Sequence, residues 1–167
     1  MLNHKESLKT ALEVQLKYHE GLELKVYRDT VGILTVGIGH NLKANPALPI
    51  LGRLLREGDL ITEEEAIKLF NEDVDKIIIQ VDDNVPKFAT LSQNRQLVLV
   101  DMAFNLGIRR LLKFGKMLAA INQDNFVIAA TEMLNSGWAL QVKSRAKRLA
   151  LMMKEDLPFE EARRRVN

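Results

Sequence analysis

The side chains best suited to chemistry fall in one short segment, with the spacing Glu20-x8-Asp29-x5-Thr35 and the ending Thr-Val-Gly-Ile-Gly-His40. Glu20 sits at the predicted end of a helix, and Asp29 sits in the turn that follows. The last helical carbonyls place partial negative charge beside Glu20 and disfavour a second negative charge there. Partial burial in a cleft acts in the same direction. A carboxyl kept protonated can deliver a proton to a leaving oxygen, while Asp29, in a more polar turn, stays ionised and can take one. Two carboxyls in opposed environments form an acid and base pair of the kind glycosidic hydrolysis uses. Alternation along the second strand puts Thr35 on one face with Ile33 and Gly37, where the absent Gly37 side chain leaves room beside the hydroxyl for a water. On residue types alone, acids at a helix end and in a turn are more often simply solvated than catalytic.

These residues need elements to hold them. Leu8, Leu12, Leu16 and His19 recur at helical spacing with Ala11 beside them, which predicts an amphipathic helix over about 4–20. Asn3 with Glu6 caps its start, and Gly21 stops it. Lys25-Val26-Tyr27 and Ile33 to Gly39 flank the turn Asp29-Thr30-Val31-Gly32, which predicts a small antiparallel hairpin or meander. Asn45-Pro46 and Pro49 mark a loop. Thr62 followed by Glu65 is a capping box opening a long helix with an apolar stripe from Ala66 to Val81, closed by Asn84-Val85-Pro86. Helices are then predicted over about 92–106, 115–122, 125–135, 143–155 and 159–165. The result is an α+β chain whose strands are confined to the first third. We expect a single domain over 1–167, divided into a β-containing lobe at about 13–62, a connecting helix at about 62–83 and a helical lobe at about 84–167. The N-terminal helix is expected to pack on that helical lobe, and an active-site cleft is expected between the lobes.

Composition narrows the function classes. Hydrophobic residues make up 47% and charged residues 28% of the 167, the balance of a globular protein. With no Cys there is no disulfide framework, thiol nucleophile or thiolate metal site. The three His, at 4, 19 and 40, are not at ligand spacing, so no metal and no cofactor are expected. No apolar run reaches the ~18 residues of a membrane span, and no signal-peptide core is present. Basic residues gather in the second half. Residues 141–167 hold eight Lys or Arg against four Asp or Glu, and Arg109, Arg110, Lys113 and Lys116 have no acid among them. That distribution suits an anionic polymer or surface, or simply a solvated basic face.

The motif from Glu20 to His40 resembles the phage lysozymes of glycoside hydrolase family 24, the T-even phage type. Leu69-Phe70-Asn71-Glu72-Asp73-Val74-Asp75 resembles the interlobe helix of that family, and Phe104-Asn105-Leu106-Gly107, Trp138 and Arg145-Ala146-Lys147-Arg148 fall where similar residues occur. The resemblance covers most of the chain and is thinnest over about 43–60. It implies a lysozyme-like α+β fold and no cofactor. It implies Glu20 as general acid, with Asp29 and Thr35 positioning the hydrolytic water for inversion. It also implies that His40 pairs with Asp73, that Arg145 reaches Glu20 and so favours its ionised form, and that Asn105 supports the site. Substrate-contacting positions are implied at Asn41, Phe104, Met117 and Glu132, of which Phe104 alone keeps the residue type. Leu34 replaces an aromatic residue that is frequent in the family.

The function implied is that of a monomeric endolysin cleaving between N-acetylmuramic acid and N-acetylglucosamine of peptidoglycan. It would stay in the host bacterial cytoplasm until released through a holin pore. Alternatives are a catalytically silent wall- or anion-binding module and a lytic transglycosylase, which needs no water-positioning Asp. Gly37-Ile38-Gly39 lacks the third glycine of a dinucleotide loop, and no nucleic-acid motif appears, so nucleic acid is not an expected partner. His40 reads as structural and Trp138 as a core anchor. The basic C-terminal region, with Arg163, Arg164 and Arg165, is a candidate contact for an anionic outer membrane or lipopolysaccharide.

Overall fold

The computed structural model describes residues 3–167. It divides into two compact units, the first ending at Lys76 and the second spanning Ile77–Asn167. No helix among the described residues is long and apolar enough to cross a membrane.

The first unit opens with α1, His4–Glu20. Asn3 accepts a hydrogen bond from the Glu6 amide at 2.9 Å, satisfying one of the amides a helix start leaves open. Gly21 ends the helix at φ +78°, a conformation that favours glycine. A three-stranded antiparallel sheet follows, in the order β1 (Glu23–Arg28), β2 (Leu34–Gly37) and β3 (His40–Asn41). Tyr27 faces Thr35 and Glu23 faces Gly37 across β1 and β2, with a register irregularity between them. The outer edge of β1 is covered by residues 59–61, through Val26 N–H to Asp59 O and Ile61 N–H to Leu24 O. Val26, Val36, Ala47, Ile61, Ala66 and Leu69 make this unit's core. The predicted loop around Pro49 contains a one-turn helix, α2 (Leu48–Leu51), because a proline at the start of a helix costs no internal hydrogen bond.

The capping box forms in both directions, with Thr62 N–H to Glu65 Oε2 at 3.0 Å and Glu65 N–H to Thr62 Oγ1 at 3.1 Å. It opens α3, Glu63–Asn84. Lys5 and Lys9 of α1 pair with Asp75 of α3 at 2.9 and 3.1 Å. Burial pushes the Asp75 carboxyl up, but the hydrogen bonds from both lysines outweigh it and hold the group below its usual range. Stability from a lowered carboxyl is present above its unfolded value and is lost as pH falls through the folded one. The melting advantage of wild type over Asp75→Asn is therefore expected to shrink once pH drops below about 3.9. Parallel melts at pH 6 and at lower pH check this, and a constant gap would contradict it.

The second unit carries a short 3-10 turn at Phe88–Thr90, then α4 (Gln93–Leu106), α5 (Ile108–Leu111), α6 (Gly115–Asn122), α7 (Phe126–Leu134), α8 (Gly137–Val142), α9 (Ser144–Glu155) and α10 (Phe159–Arg165). Five of these sit where hydrophobic periodicity predicts helices. The short α5 and α8 lie at Gly107 and at Ser136-Gly137, which read as breaks. Ser136 caps α8 by accepting from the Ala139 amide, so a residue of break type begins a helix instead. Helix α7 packs on α6 and α9, and Leu99, Met102, Leu111, Met117, Ile121, Met133 and Leu149 are fully buried.

Candidate active site

Glu20 is the last residue of α1 and is half-buried. Asp29 follows β1, and its turn closes on itself through Asp29 N–H to Ile33 O at 2.9 Å and Gly32 N–H to Asp29 O at 3.0 Å. Within that turn the Asp29 carboxylate is held by one oxygen. Oδ1 accepts from the amides of Val31 and Ile33, both at 2.9 Å. No hydrogen bond within the described residues occupies Oδ2, so one oxygen fixes the group and the other has its lone pairs available. Thr35 is only 7% exposed, and its hydroxyl donates to the Ile33 carbonyl at 3.1 Å. With its proton committed, Thr35 Oγ1 is left as an acceptor.

Tyr27, opposite Thr35 in the sheet, links these groups. Burial pushes its phenol up first, and the carboxylates of Glu20, Asp29 and Glu23 add to the shift. Glu20 and Asp29 thus act on one neutral hydroxyl, a residue the motif did not single out. A Cβ at Gly37 would meet Ala66 of α3 at 3.5 Å, an ordinary contact, so it is the φ of +66° that favours glycine there.

His40 is fully buried, with Nδ1 2.6 Å from Asp73 Oδ2 and Nε2 2.8 Å from the Asn45 carbonyl. Both ring nitrogens face oxygen acceptors, so a ring carrying two N–H groups satisfies both. Asn45, which the sequence reading took only as a loop marker, completes the network. Its side-chain amide donates to Asp73 Oδ1 at 2.9 Å, and its oxygen accepts from Lys76 at 2.9 Å. Asn45→Ala keeps the backbone carbonyl but removes a donor from a buried carboxylate, at an expected cost of about 1–3 kcal/mol. Urea unfolding measures it, and a change below about 0.5 kcal/mol would show the bond is replaceable.

Asn41 is occupied with its own turn, its Oδ1 accepting from the amides of Lys43 and Ala44. The other positions named by resemblance lie in the second unit. Phe104 and Asn105 are near the end of α4, and Asn105 Oδ1 accepts from the Trp138 indole at 2.8 Å. Trp138 is buried and meets Phe114 edge-on. Met117 is fully buried, and it lines one cavity of about 470 Å³ together with Glu132. Arg145 is buried on α9, with Nε on Asp101 Oδ1 at 2.8 Å. Asp101 is 0% exposed and lies inside the apolar run of α4, where nothing in the local sequence marks it as an ion-pair partner. The C-terminal arginines are matched by acids: Arg163 by Glu160, Arg164 by Glu161, and Arg165 by Glu155 and Glu161. That pairing cancels much of the cationic field of α10.

A short meander presenting one anchored carboxylate, a buried threonine and a helix-end glutamate, joined to a helical unit, is the arrangement of a lysozyme-type hydrolase. Residues 17–152 match the phage lysozyme family. The chain is 30% identical over 156 residues to probable T4-type lysozyme 1 of Dictyostelium discoideum, covering 84% of this chain and 91% of that one. It is 31% identical to the endolysin of Salmonella phage P22, over 72% of this chain and 76% of that one. It is 28% identical to peptidoglycan hydrolase gp36 of Pseudomonas phage phiKMV, over 80% of this chain but 14% of that much longer one. The chain belongs to the phage lysozyme family.

Proposed function

We propose that this lysozyme hydrolyses the β-1,4 bond between N-acetylmuramic acid and N-acetylglucosamine of bacterial peptidoglycan, with inversion at the anomeric carbon. Glu20 protonates the departing glycosidic oxygen. A water donates one proton toward Asp29 Oδ2 and the other toward Thr35 Oγ1, and its oxygen attacks from the opposite face of the sugar. The water's proton passes to Asp29 as the bond to the new hydroxyl forms, and solvent then resets both carboxyls. The observation that carries this reading is the division of labour at Asp29. Two backbone amides hold Oδ1, so Oδ2 can serve a water without losing its aim. The names of the phage relatives, endolysin and peptidoglycan hydrolase, support the substrate and a role in host lysis. Exit from the cytoplasm would then depend on a pore made by another protein.

The test is product analysis. Muropeptides released from purified wall should carry new reducing ends, first appearing as the α-anomer by NMR. Anhydro sugars would identify a lytic transglycosylase, and binding with no new reducing ends would identify a silent wall-binding module.

A further inference from the structure

Tyr27 and Thr35 are directly paired across β1 and β2. The side chains of such a pair share one face of the sheet and lie within reach of each other. Val26 and Val36, next to them in sequence, point into the core, so Tyr27 and Thr35 face the opposite side. Asp29 follows Tyr27 by two residues, where the chain leaves β1 and turns toward β2. The carboxylates of Glu20, Asp29 and Glu23 act on the Tyr27 phenol and, with its burial, keep it protonated. The hydroxyl is therefore a donor throughout the neutral range, yet it makes no hydrogen bond within the described residues. The groups beside it on that face can only accept. Thr35 Oγ1 has committed its proton to the Ile33 carbonyl, and Asp29 Oδ2 carries none. An unused donor thus stands beside two unused acceptors.

A water held by Oδ2 and Oγ1 gives both of its protons away. One lone pair attacks the anomeric carbon, and the other is left without a partner. Two acceptors fix the protons but let the oxygen rock about the line between them, and a donor on the remaining lone pair removes that motion. We propose that the Tyr27 hydroxyl is this donor, so that Asp29, Thr35 and Tyr27 together hold the hydrolytic water. The Tyr27 proton stays on its own oxygen throughout. The water's proton passes to Asp29 as the new carbon–oxygen bond forms. A cationic donor in the same place would pair with Asp29 and weaken it as a base, and a neutral phenol carries no such cost. The inference rests on the hydrolase reading of Asp29 and Thr35 and adds a third residue to it.

The experiment measures kcat and KM for reducing-end release from soluble, uncrosslinked peptidoglycan strands. Tyr27→Phe keeps the ring and removes only a hydroxyl with no partner in the protein to strand, so it should melt as wild type does. Its kcat should fall roughly 10- to 100-fold, the cost of a loosened reacting atom. KM should move by less than about twofold, because the lost contact is to water and not to the glycan. Thr35→Val and the double variant with Tyr27→Phe complete a cycle. The double loss should stay well short of the product of the single ones, because a water already missing one holder has less order left to lose. A separate NMR titration follows the Tyr27 ring, whose midpoint should drop in Asp29→Asn as one of the charges raising it is removed. Wild-type kcat in Tyr27→Phe, a loss confined to KM, single effects that multiply, or a ring titration indifferent to Asp29→Asn would each overturn the proposal. Normal turnover by Tyr27→Phe beside an inactive Asp29→Asn removes this inference alone. Full activity of Asp29→Asn removes the reading of Asp29 and takes this inference with it.

Discussion

Glu20→Gln is expected to lower the rate of reducing-end release by roughly 100- to 10,000-fold, the contribution of a positioned general acid. The substitution keeps the shape of the side chain and removes the transferable proton. Asp29→Asn is expected to fall as far for a different reason. The asparagine oxygen can still accept the Val31 and Ile33 amides, so the turn persists. The other side-chain atom becomes an NH2 donor that cannot take a proton from water. Asp29→Asn should melt within about 1 kcal/mol of wild type, because it neither empties core volume nor removes the acceptor of the two amides. The measurement is clearing of permeabilised Gram-negative cells together with reducing-end assay. Wall clearing by Glu20→Gln at the wild-type rate would refute the acid assignment, and normal activity of Asp29→Asn would refute the water-positioning role.

The largest stability effect is expected at Asp101. Its carboxylate is fully inaccessible and is the partner of the nearly buried Arg145. Asp101→Leu leaves a guanidinium in a low-dielectric interior facing an apolar side chain, which costs about 3–5 kcal/mol. Replacing both members, with Asp101→Leu and Arg145→Met, removes both charges of this pair and should recover part of the loss, since an apolar pair carries no desolvation cost of its own. Double-mutant analysis by urea unfolding separates these outcomes. If the two single losses simply add in the double variant, the pair is not an energetic unit.

The second unit holds some of its cations in ion pairs and leaves others unpaired. In the second unit, α10 neutralises its arginines internally. Arg109, Arg110, Lys113, Lys116, Lys143, Lys147 and Lys154 of this unit have no ion pair among the described residues. What matters is which cations the fold leaves without acids.

Much of this molecule is determined by the sequence within a few residues of itself. The Asn3 cap, the Thr62 and Glu65 capping box and the stop at Gly21 each depend on partners a turn away, so residue type and spacing suffice to place them. Glu20, Asp29 and Thr35 are legible for the same reason, since one helix end and one hairpin carry all three. Tertiary structure decided what those residues touch. The anchoring of Asp29 by a single oxygen depends on the backbone conformation of its turn. The bridging of Asp73 by Asn45 spans 28 residues, and the pairing of Arg145 with Asp101 spans 44. Nothing local marks Asp101, which sits in an apolar helix and reads as a misplaced charge until α4 and α9 pack together. Such pairings follow from which helix faces meet, and a single sequence carries that information only through the whole fold.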